Sequence, residues 1–318
     1  MTQAPILTLT LNPALDMATE VHELIPGQKL RCTEPLLDPG GGGLNVSRAI
    51  KSLGGDSLAL VAIGGLTGDR LAGLIRQEGV TFLSILGPGE TRQSLTVNEV
   101  TTGKQYRFML PGPVWGEAER ARVFTLLRAT ARPGGFSVIS GSQPPGVPVD
   151  FPAQLAASMP ETRVVLDTSG ATLTEAVRHP IPGLEVLRMD GPEGEDLAGR
   201  PLPRLEDTAA FAQELVQRGV ARTVIIARGA EGNVLADANQ KLFAKAAKVR
   251  VKSTVGAGDS FVAAFVLSLA RGQSNAEALA LGSAAASAAV TTDATQLCRP
   301  EDVMRLLREC TVSEVQGG

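Results

Sequence analysis

The chain has 318 residues, with 30 Lys and Arg against 33 Asp and Glu. The formal charge of −3 excludes the basic excess of nucleic-acid or anionic-membrane binding, and a hydrophobic content of 43% is that of a globular protein with an ample core. No segment reaches the ~18 apolar residues of a membrane span, the first residues lack a basic signal region, and the three cysteines lack metal or redox spacing, so we expect a cytoplasmic protein.

Short β-branched runs alternate with helical patterns along the chain, which is typical of βαβ units and a mostly parallel sheet. Six runs predict core strands, at residues 6–11, 58–63, 137–140, 163–167, 184–189 and 223–227. Helical patterns predict helices over residues 46–53, 69–78, 153–159, 172–178, 208–218, 261–270 and 274–290. We therefore expect one α/β domain over residues 1–318.

Two segments, 17–37 and 91–110, interrupt this alternation because their strand-like stretches are half polar. The first carries several charged residues, and the second alternates polar and apolar residues around a turn, as an antiparallel hairpin does. Such strands do not suit the middle of a doubly wound sheet. We expect a separate small sheet with an apolar face that includes Leu95, Val97 and Phe108 and would be exposed to water in a monomer.

The stretch Gly256-Ala257-Gly258-Asp259 stands just before the predicted helix 261–270. Glycines let the backbone approach a ligand closely, and the unpaired N–H groups of a helix N-terminus favour an anion such as a phosphate. Asp259 adds a carboxylate beside this anion hole, so the stretch combines a phosphate site with a general base. The alternative is an ordinary glycine-rich loop in which Asp259 caps the helix.

This stretch resembles the second signature of the ribokinase-like (PfkB) family of sugar and nucleoside kinases. Other matches to the family lie at residues 12–16, 39–49, 140–146 and 253–261. Within the family the chain looks most like the branch that phosphorylates sugar phosphates, with matches at 29–33, 91–95, 105–108 and 295–298. The resemblance spans almost the whole chain.

The resemblance implies a ribokinase-like three-layer α/β/α domain with a small β-sheet lid, here about 17–37 and 91–110, and a homodimer formed through the lids. It implies transfer of the ATP γ-phosphoryl group to a sugar phosphate, fructose 6-phosphate above all. Mg²⁺ is the implied cofactor, and K⁺ is left open as a second cation. Tagatose 6-phosphate and fructose 1-phosphate kinases are alternatives, because the same glycine-rich elements would serve them.

The family's catalytic roles carry over to the matching positions. Asp259 becomes the general base, and the amides of Gly256, Ala257 and Gly258 become the anion hole. The expected sugar-binding residues are Asp16, Gly41, Gly42, Gly43, Asn45 and Ser140. Asp16 follows the first predicted strand, where ligand sites of α/β proteins gather, although a turn or capping role is the alternative for it.

Four basic residues in or beside the lid segments suit a sugar that carries a phosphate: Lys29, Arg31, Arg92 and Arg107. An arginine clasps phosphate through two parallel N–H donors, and a lysine supplies a point charge. A kinase of neutral sugars needs no such cluster. Taken singly, a lysine or arginine on a strand is more often a solvated edge charge that deters aggregation.

The nucleotide side departs from the family pattern. Asp190 replaces the usual Asn and Arg188 the usual Lys, whereas Glu193 is retained. Asp190 and Glu193 keep oxygen ligands suited to Mg²⁺. A Ser or Thr usually begins the nucleotide loop, and an Asn stands beside the base, where this chain has Ala227 and Thr292. The expected nucleotide-binding residues are Arg188, Asp190, Ala227, Arg228, Gly229, Gly232 and Thr292.

These departures keep a second function open, that of a catalytically impaired relative that binds a sugar phosphate and acts as a sensor or regulatory subunit. The intact stretch 256–259 argues against it, because a pure binding protein has no chemical need for a base beside an anion hole.

Overall fold

The computed structural model describes residues 3–293 and 296–316, so Thr295 of the matched segment 295–298 lies outside the described residues. The strands are β1 (Ile6–Thr10), β2 (Ala14–Val21), β3 (Leu36–Gly40), β4 (Leu58–Ile63), β5 (Phe82–Leu86), β6 (Arg92–Glu99), β7 (Gln105–Met109), β8 (Phe136–Ser140), β9 (Arg163–Asp167), β10 (Val186–Met189), β11 (Thr223–Ala227), β12 (Gly232–Ala236), β13 (Lys241–Lys245) and β14 (Val312–Glu314).

The helices are α1 (Gly42–Ser52), α2 (Gly65–Gln77), α3 (Glu117–Thr130), α4 (Phe151–Ala157), α5 (Gly170–Arg178), α6 (Gly191–Ala198), α7 (Leu205–Gln217), α8 (Ala257–Ala270), α9 (Asn275–Ala289) and α10 (Pro300–Leu306). No helix in these described ranges is long and apolar enough to cross a membrane.

One large sheet has the strand order β14-β13-β12-β11-β10-β9-β8-β1-β4-β5. Strands from β11 to β5 pair in parallel, and β12, β13 and β14 extend one edge in antiparallel pairs. Alternate residues of β1 enter opposite cores, since Leu7 and Leu9 pack with helices α3, α4, α5 and α7, whereas Ile6 packs with α1, α8, α9 and α10. Helices therefore cover both faces, and the three-layer α/β/α prediction is confirmed.

The six predicted core strands are confirmed, three of them at the predicted bounds. The predicted start of α1 at Val46 is wrong, because the helix already begins at Gly42. Glycine has a low helix propensity, but tertiary contacts override it here. A Cβ on Gly43 would lie 2.4 Å from the carbonyl oxygen of Leu9, so the first turn of α1 presses directly on β1.

Four strands form a separate small sheet in the order β3-β2-β6-β7. Strands β6 and β7 make the predicted antiparallel hairpin, whereas β2 pairs with β6 in parallel. Residues 22–35 contain no strand, which corrects the expectation of strand-like structure throughout 17–37. Pro26 and Pro35 lie in this stretch and have no N–H group to donate to a ladder.

The apolar side chains of the small sheet are only partly exposed. Val97 is 5% exposed, so the expectation that it faces water is wrong. Phe108 is 50% exposed, and Leu36, Met109 and Leu110 expose more than half of their surface. Exposed apolar side chains therefore remain at both edges of the small sheet, on β3 and at the end of β7.

Helices α8 and α9 pack closely because α9 presents small residues to its neighbour. A Cβ on Gly282 would lie 2.9 Å from ring atoms of the buried Phe261. We expect Gly282→Ala to lower the free energy of unfolding by about 1–3 kcal/mol, because the ring must shift. Denaturant unfolding followed by circular dichroism measures the change.

Gly73→Ala in α2 is the matched control, since no described heavy atom lies within 4 Å of its added Cβ. There the higher helix propensity of alanine should raise stability by about 0.5–1 kcal/mol. If both substitutions stabilised the protein, the close contact between α8 and α9 would be disproved.

Candidate active site

Predicted site residues gather at the carboxyl ends of the parallel strands. Ser140 ends β8, and the strand register places it beside Asp167 at the end of β9. Asp167 in turn pairs with Arg188 on β10. The Ser140 hydroxyl donates to Asp167 at 3.0 Å, and the Arg188 guanidinium donates to the other carboxylate oxygen at 3.2 Å. Helices α1 and α8 begin at this same edge, where Asn45 meets Asp259.

The start of α8 is built to receive an anion. Gly256 precedes the helix with φ 74°, in the left-handed region that suits glycine. The first N–H groups of the helix have no carbonyl partner within it. The Arg188 guanidinium lies against this turn, since a Cβ on Gly258 would be 3.0 Å from its Nη1 atom. Backbone N–H groups and a guanidinium thus converge at one place, which suits a phosphoryl group.

Asp259 is the carboxylate of this turn, and Nδ2 of Asn45 donates to it at 2.9 Å. Burial and the nearby Asp167 carboxylate raise the pKa of Asp259 to about 6, although Asn45, Arg188 and Arg48 oppose the shift. An aspartate with this pKa is ionised at neutral pH and accepts a proton more readily than an ordinary aspartate does. A carboxylate with a raised pKa therefore lies in the same turn as the N–H groups at the start of α8.

Asp16 lies on β2 of the small sheet, beside Ser94 on the neighbouring strand β6. It accepts a hydrogen bond from Ser94 on β6. A Cβ on Gly40 would lie 2.0 Å from its Oδ2 atom, so only a glycine fits at that position of β3. Burial raises the pKa of Asp16, whereas Ser94 and three nearby arginines lower it.

The glycine run brings the start of α1 into direct contact with β8. Gly41 has φ 125°, and a Cβ on Gly42 would lie 2.5 Å from Oγ of Ser140. A side chain in place of Gly42 would therefore clash with Ser140, so this position of the run needs glycine to let α1 begin against the end of β8.

The four predicted phosphate-binding residues are only partly brought together. Arg92 and Arg107 lie close enough to Asp16 to lower its pKa, and Nε of Arg92 donates to the carbonyl oxygen of Asn12 at 3.1 Å. Lys29 and Arg31 lie in the exposed segment 22–35. Within the described residues, no hydrogen bond or ion pair joins these two side chains to the other predicted site residues.

On the nucleotide side, Asp190 and Glu193 form the capping box of α6. Oδ1 of Asp190 accepts from the Glu193 N–H at 2.9 Å, and the Asp190 N–H donates to Oε2 of Glu193 at 2.8 Å. Burial raises the pKa of Glu193, and the hydrogen bond from the Asp190 N–H opposes this shift. The carboxylates of Asp190 and Asp167 raise the pKa further, whereas Arg188 lowers it. Each carboxylate keeps a second oxygen that the capping box does not use.

Two other residues predicted to bind nucleotide have their polar side-chain groups engaged elsewhere. The guanidinium of Arg228 donates to the carbonyl oxygens of residues 202, 203 and 204, to the Thr208 hydroxyl and to Glu231. The Thr292 hydroxyl donates to the Ala289 carbonyl at 2.7 Å and lies 2.8 Å from that of Gln296. Ala227 ends β11, and the loop after it contains Gly229 and Gly232. This region therefore presents mainly backbone to a ligand.

A metal would have few protein ligands here. Among the residues that the structure describes, no three His, Cys, Asp or Glu side chains group closely enough to hold a metal ion. The unused oxygens of Asp190 and Glu193 suit a magnesium ion held through its own water molecules, which is how Mg²⁺ is commonly bound. The donor set present fits that ion in this indirect mode.

Sequence reasoning missed Asp167 and Arg48, which both contact predicted site residues. Asp167 stands at the carboxyl end of a correctly predicted strand, and that position alone was a usable signal. Arg48 gave no comparable signal, because its role depends on contacts with residues of two other elements, β3 and the end of α2.

Comparisons with known proteins agree over nearly the whole chain. The profile of the pfkB family carbohydrate kinases matches residues 6–302. A protein of Mycobacterium tuberculosis (strain CDC 1551 / Oshkosh) named ATP-dependent 6-phosphofructokinase isozyme 2 is 41% identical over 302 residues, which cover 94% of this chain and 88% of the relative. A protein of the same name from Escherichia coli K12 is 38% identical over 303 residues, 95% of this chain and 97% of the relative.

Solved structures give the same result. Phosphofructokinase-2 from Escherichia coli in complex with fructose-6-phosphate has a TM-score of 0.90 and 36% identity, and the match covers 96% of this chain and 99% of that one. The tetrameric inhibited form of the same Escherichia coli protein has a TM-score of 0.89 at the same identity and coverage.

Proposed function

The chain belongs to the pfkB family of carbohydrate kinases, and from this premise we propose that it transfers the γ-phosphoryl group of ATP to fructose 6-phosphate. The protein is an ATP-dependent sugar-phosphate kinase. One observation carries the proposal most directly: the tuned carboxylate of Asp259 lies in the same helix turn as free backbone N–H groups, with the Arg188 guanidinium against that turn.

In the proposed reaction, Asp259 accepts the proton of a sugar hydroxyl as its oxygen attacks the γ-phosphorus. The new bond forms between that oxygen and phosphorus, and the bond to the β-phosphate oxygen breaks, so ADP leaves with the electron pair. The backbone N–H groups of Gly256, Ala257 and Gly258 and the guanidinium of Arg188 stabilise the charge on the transferring group. Because these donors are already in place before the reaction, the protein needs little rearrangement to reach the transition state.

The sugar lies between Asp16 and Asp259 in this proposal. Asp16 accepts hydrogen bonds from sugar hydroxyls, and the backbone of Gly41, Gly42 and Gly43 approaches the ring closely. One amide hydrogen of Asn45 remains for the sugar, since the other is donated to Asp259. The Ser140 hydroxyl donates its proton to Asp167, so its oxygen remains free to accept a hydrogen bond from a sugar hydroxyl.

Arg92 and Arg107 bind the phosphate already present on the sugar, because both lie near Asp16 on the small sheet. Lys29 and Arg31 would join them only if segment 22–35 folds over the cleft as a lid. The small sheet and this segment together form the lid in our proposal, and residues 1–318 form a single kinase domain.

ATP lies along α6 and the loop after β11, with Ala227, Gly229 and Gly232 contacting it chiefly through backbone. Magnesium, held through water by Asp190 and Glu193, would neutralise phosphate charge. The protein's own contribution is the rigid capping box, which keeps both carboxylates in place. A comparison of kcat in K⁺ and in Na⁺ buffers tests whether K⁺ is required as a second cation.

Steady-state kinetics with fructose 6-phosphate, tagatose 6-phosphate, fructose 1-phosphate, ribose and adenosine tests the substrate. We expect the highest kcat/KM for fructose 6-phosphate. A preference for ribose or adenosine would overturn the role of the arginines on the small sheet. Tight sugar-phosphate binding in calorimetry without ATP binding or ADP release would instead support the sensor or regulatory function.

We expect Asp259→Asn to lower kcat by roughly two to four decades, the range for losing general-base catalysis. The KM values for both substrates should change much less. In the unsubstituted protein kcat should fall as the pH drops through about 6, because Asp259 then becomes protonated and cannot accept the sugar proton. A variant that keeps most of its kcat at neutral pH would remove Asp259 from the role of base.

Arg92→Ala should raise the KM for the sugar phosphate far more than the KM for ATP. The loss of one charge-assisted phosphate contact corresponds to about 1.5–3 kcal/mol. Arg128→Ala on the exposed face of α3 is the matched control and should leave both KM values unchanged. Equal increases for both substrates would indicate a folding defect rather than a lost phosphate contact.

We also propose a dimer formed through the small sheets, because Leu36, Phe108, Met109 and Leu110 expose apolar surface there. Sedimentation at micromolar concentration should give a dimer, and Phe108→Asp should give a monomer. Met304→Asp changes an equally exposed apolar residue on α10 and should leave the dimer intact. A stable monomer, or a tetramer that Phe108→Asp does not affect, would refute this interface.

A further inference from the structure

The guanidinium of Arg48 is buried between four partners, with its side chain only 8% exposed. Arg48 lies on α1, and its Nη1 atom donates to the carbonyl oxygen of Pro39 at 2.8 Å and to Oδ1 of Asn45 at 3.0 Å. Nε and Nη2 donate to the two carboxylate oxygens of Glu78 at 2.6 and 2.7 Å. Asp38 lies 3.7 Å from Nη2.

The contact with Asn45 decides which way the Asn45 amide points. Its oxygen faces the Arg48 donor, so its NH₂ group faces Asp259 and donates to Oδ2 at 2.9 Å. A flipped amide would place an oxygen against the Asp259 carboxylate and an NH₂ group against the guanidinium, which are both repulsive contacts. Arg48 therefore selects the one orientation in which Asn45 hydrogen-bonds the carboxylate.

The other partners of Arg48 belong to elements outside the catalytic turn. Pro39 and Asp38 lie on β3 of the small sheet, and Glu78 follows the last turn of α2. Asp259 itself also faces Asp167 and Arg188 from the edge of the large sheet. Arg48 thus connects the small sheet and α2 to Asp259, through Asn45 and through its charge.

We propose that Arg48 is a positioning residue that holds the Asn45 amide toward Asp259 and couples this contact to β3 and α2. The inference rests on the proposed function, in which Asp259 is the base. Arg48 touches none of the reacting groups in this assignment; it acts through Asn45 and through the field of its guanidinium.

Kinetics of Arg48→Met and Arg48→Lys test the proposal. We expect Arg48→Met to lower kcat/KM for the sugar phosphate by roughly ten- to a hundredfold, the range for a misplaced catalytic group. In a plot of kcat/KM against pH, the fall on the acidic side (the acid limb) should move to higher pH, because the lost positive charge no longer favours ionised Asp259. Arg48→Lys keeps the charge but not the planar fork, so its acid limb should stay near that of the unsubstituted protein while kcat/KM still falls.

Lys51→Met is the matched control, since it removes an exposed charge from the same helix. It should leave kcat/KM and the acid limb unchanged. Glu78→Gln removes a charged partner but keeps Arg48, and its kcat/KM should fall less than that of Arg48→Met. Because Arg48→Met could unfold, circular dichroism is recorded first, and Glu78→Gln then carries the test. Unchanged kcat/KM in a folded Arg48→Met, or in Glu78→Gln if Arg48→Met unfolds, would overturn the proposal.

A readout without substrate separates this inference from the proposed function. The ¹³C signal of the Asp259 carboxyl, assigned by its loss in Asp259→Asn, should titrate with a midpoint of about 6. The midpoint should rise in Arg48→Met and not in Lys51→Met. If no sugar phosphate were turned over but the midpoint rose in this way, the proposed function would fail and the contact would stand. Equal midpoints in all three proteins would refute the positioning role.

Discussion

The hydrogen bond from Asn45 to Asp259 joins the beginnings of two helices that are 214 residues apart in the chain. It can form only because α1 and α8 pack on the same face of the large sheet, where Val46, Ile50, Phe261 and Phe265 share one core. The two helix starts then meet at the carboxyl ends of the parallel strands, where open α/β sheets bind ligands. The packing of the two helices in one core thereby fixes Asn45 against Asp259.

Charge balance within this frame sets the chemistry of Asp259. Its carboxylate lies near that of Asp167, and like charges in a buried place disfavour ionisation. Arg188 acts on both carboxylates. It pairs with Asp167 at 3.2 Å, and its positive charge lowers the pKa of Asp259 by favouring the ionised form. The result is a carboxylate that is ionised at neutral pH and still basic enough to accept a proton. Replacing lysine by arginine at this position keeps the positive charge and adds a second direction for hydrogen bonding.

The unusual residues on the nucleotide side are explained largely by local structure. Aspartate is as good an N-cap as asparagine, so Asp190 preserves the start of α6 and forms a capping box with Glu193. The Arg228 side chain ties the loop after β11 to residues 202–208. These contacts anchor the loop to the segment before α7 and to the start of α7. These substitutions are compatible with a working nucleotide site built mainly from backbone.

Local patterns predicted an α/β domain with a mostly parallel sheet, because hydrophobic periodicity reports directly on which faces of an element are buried. The three layers came from the resemblance to the family. Asp16, and Asp259 with its glycines, became candidate site residues because they belong to contiguous motifs. The pairing of Asp167 with Arg188, and of Arg48 with Asn45 and Glu78, was not predictable in this way. The contacts of Asp167 with Arg188 and of Arg48 with Glu78 depend on strand order and helix packing. Asn45 and Arg48 lie three residues apart, but they share a helix only because α1 begins at Gly42 rather than at Val46. The strand-free stretch 22–35 contains Pro26 and Pro35, which have no N–H group to donate to a ladder. The burial of Val97 was decided only by the tertiary structure, since half-polar segments leave their pairing, and with it their buried face, open until a partner is present.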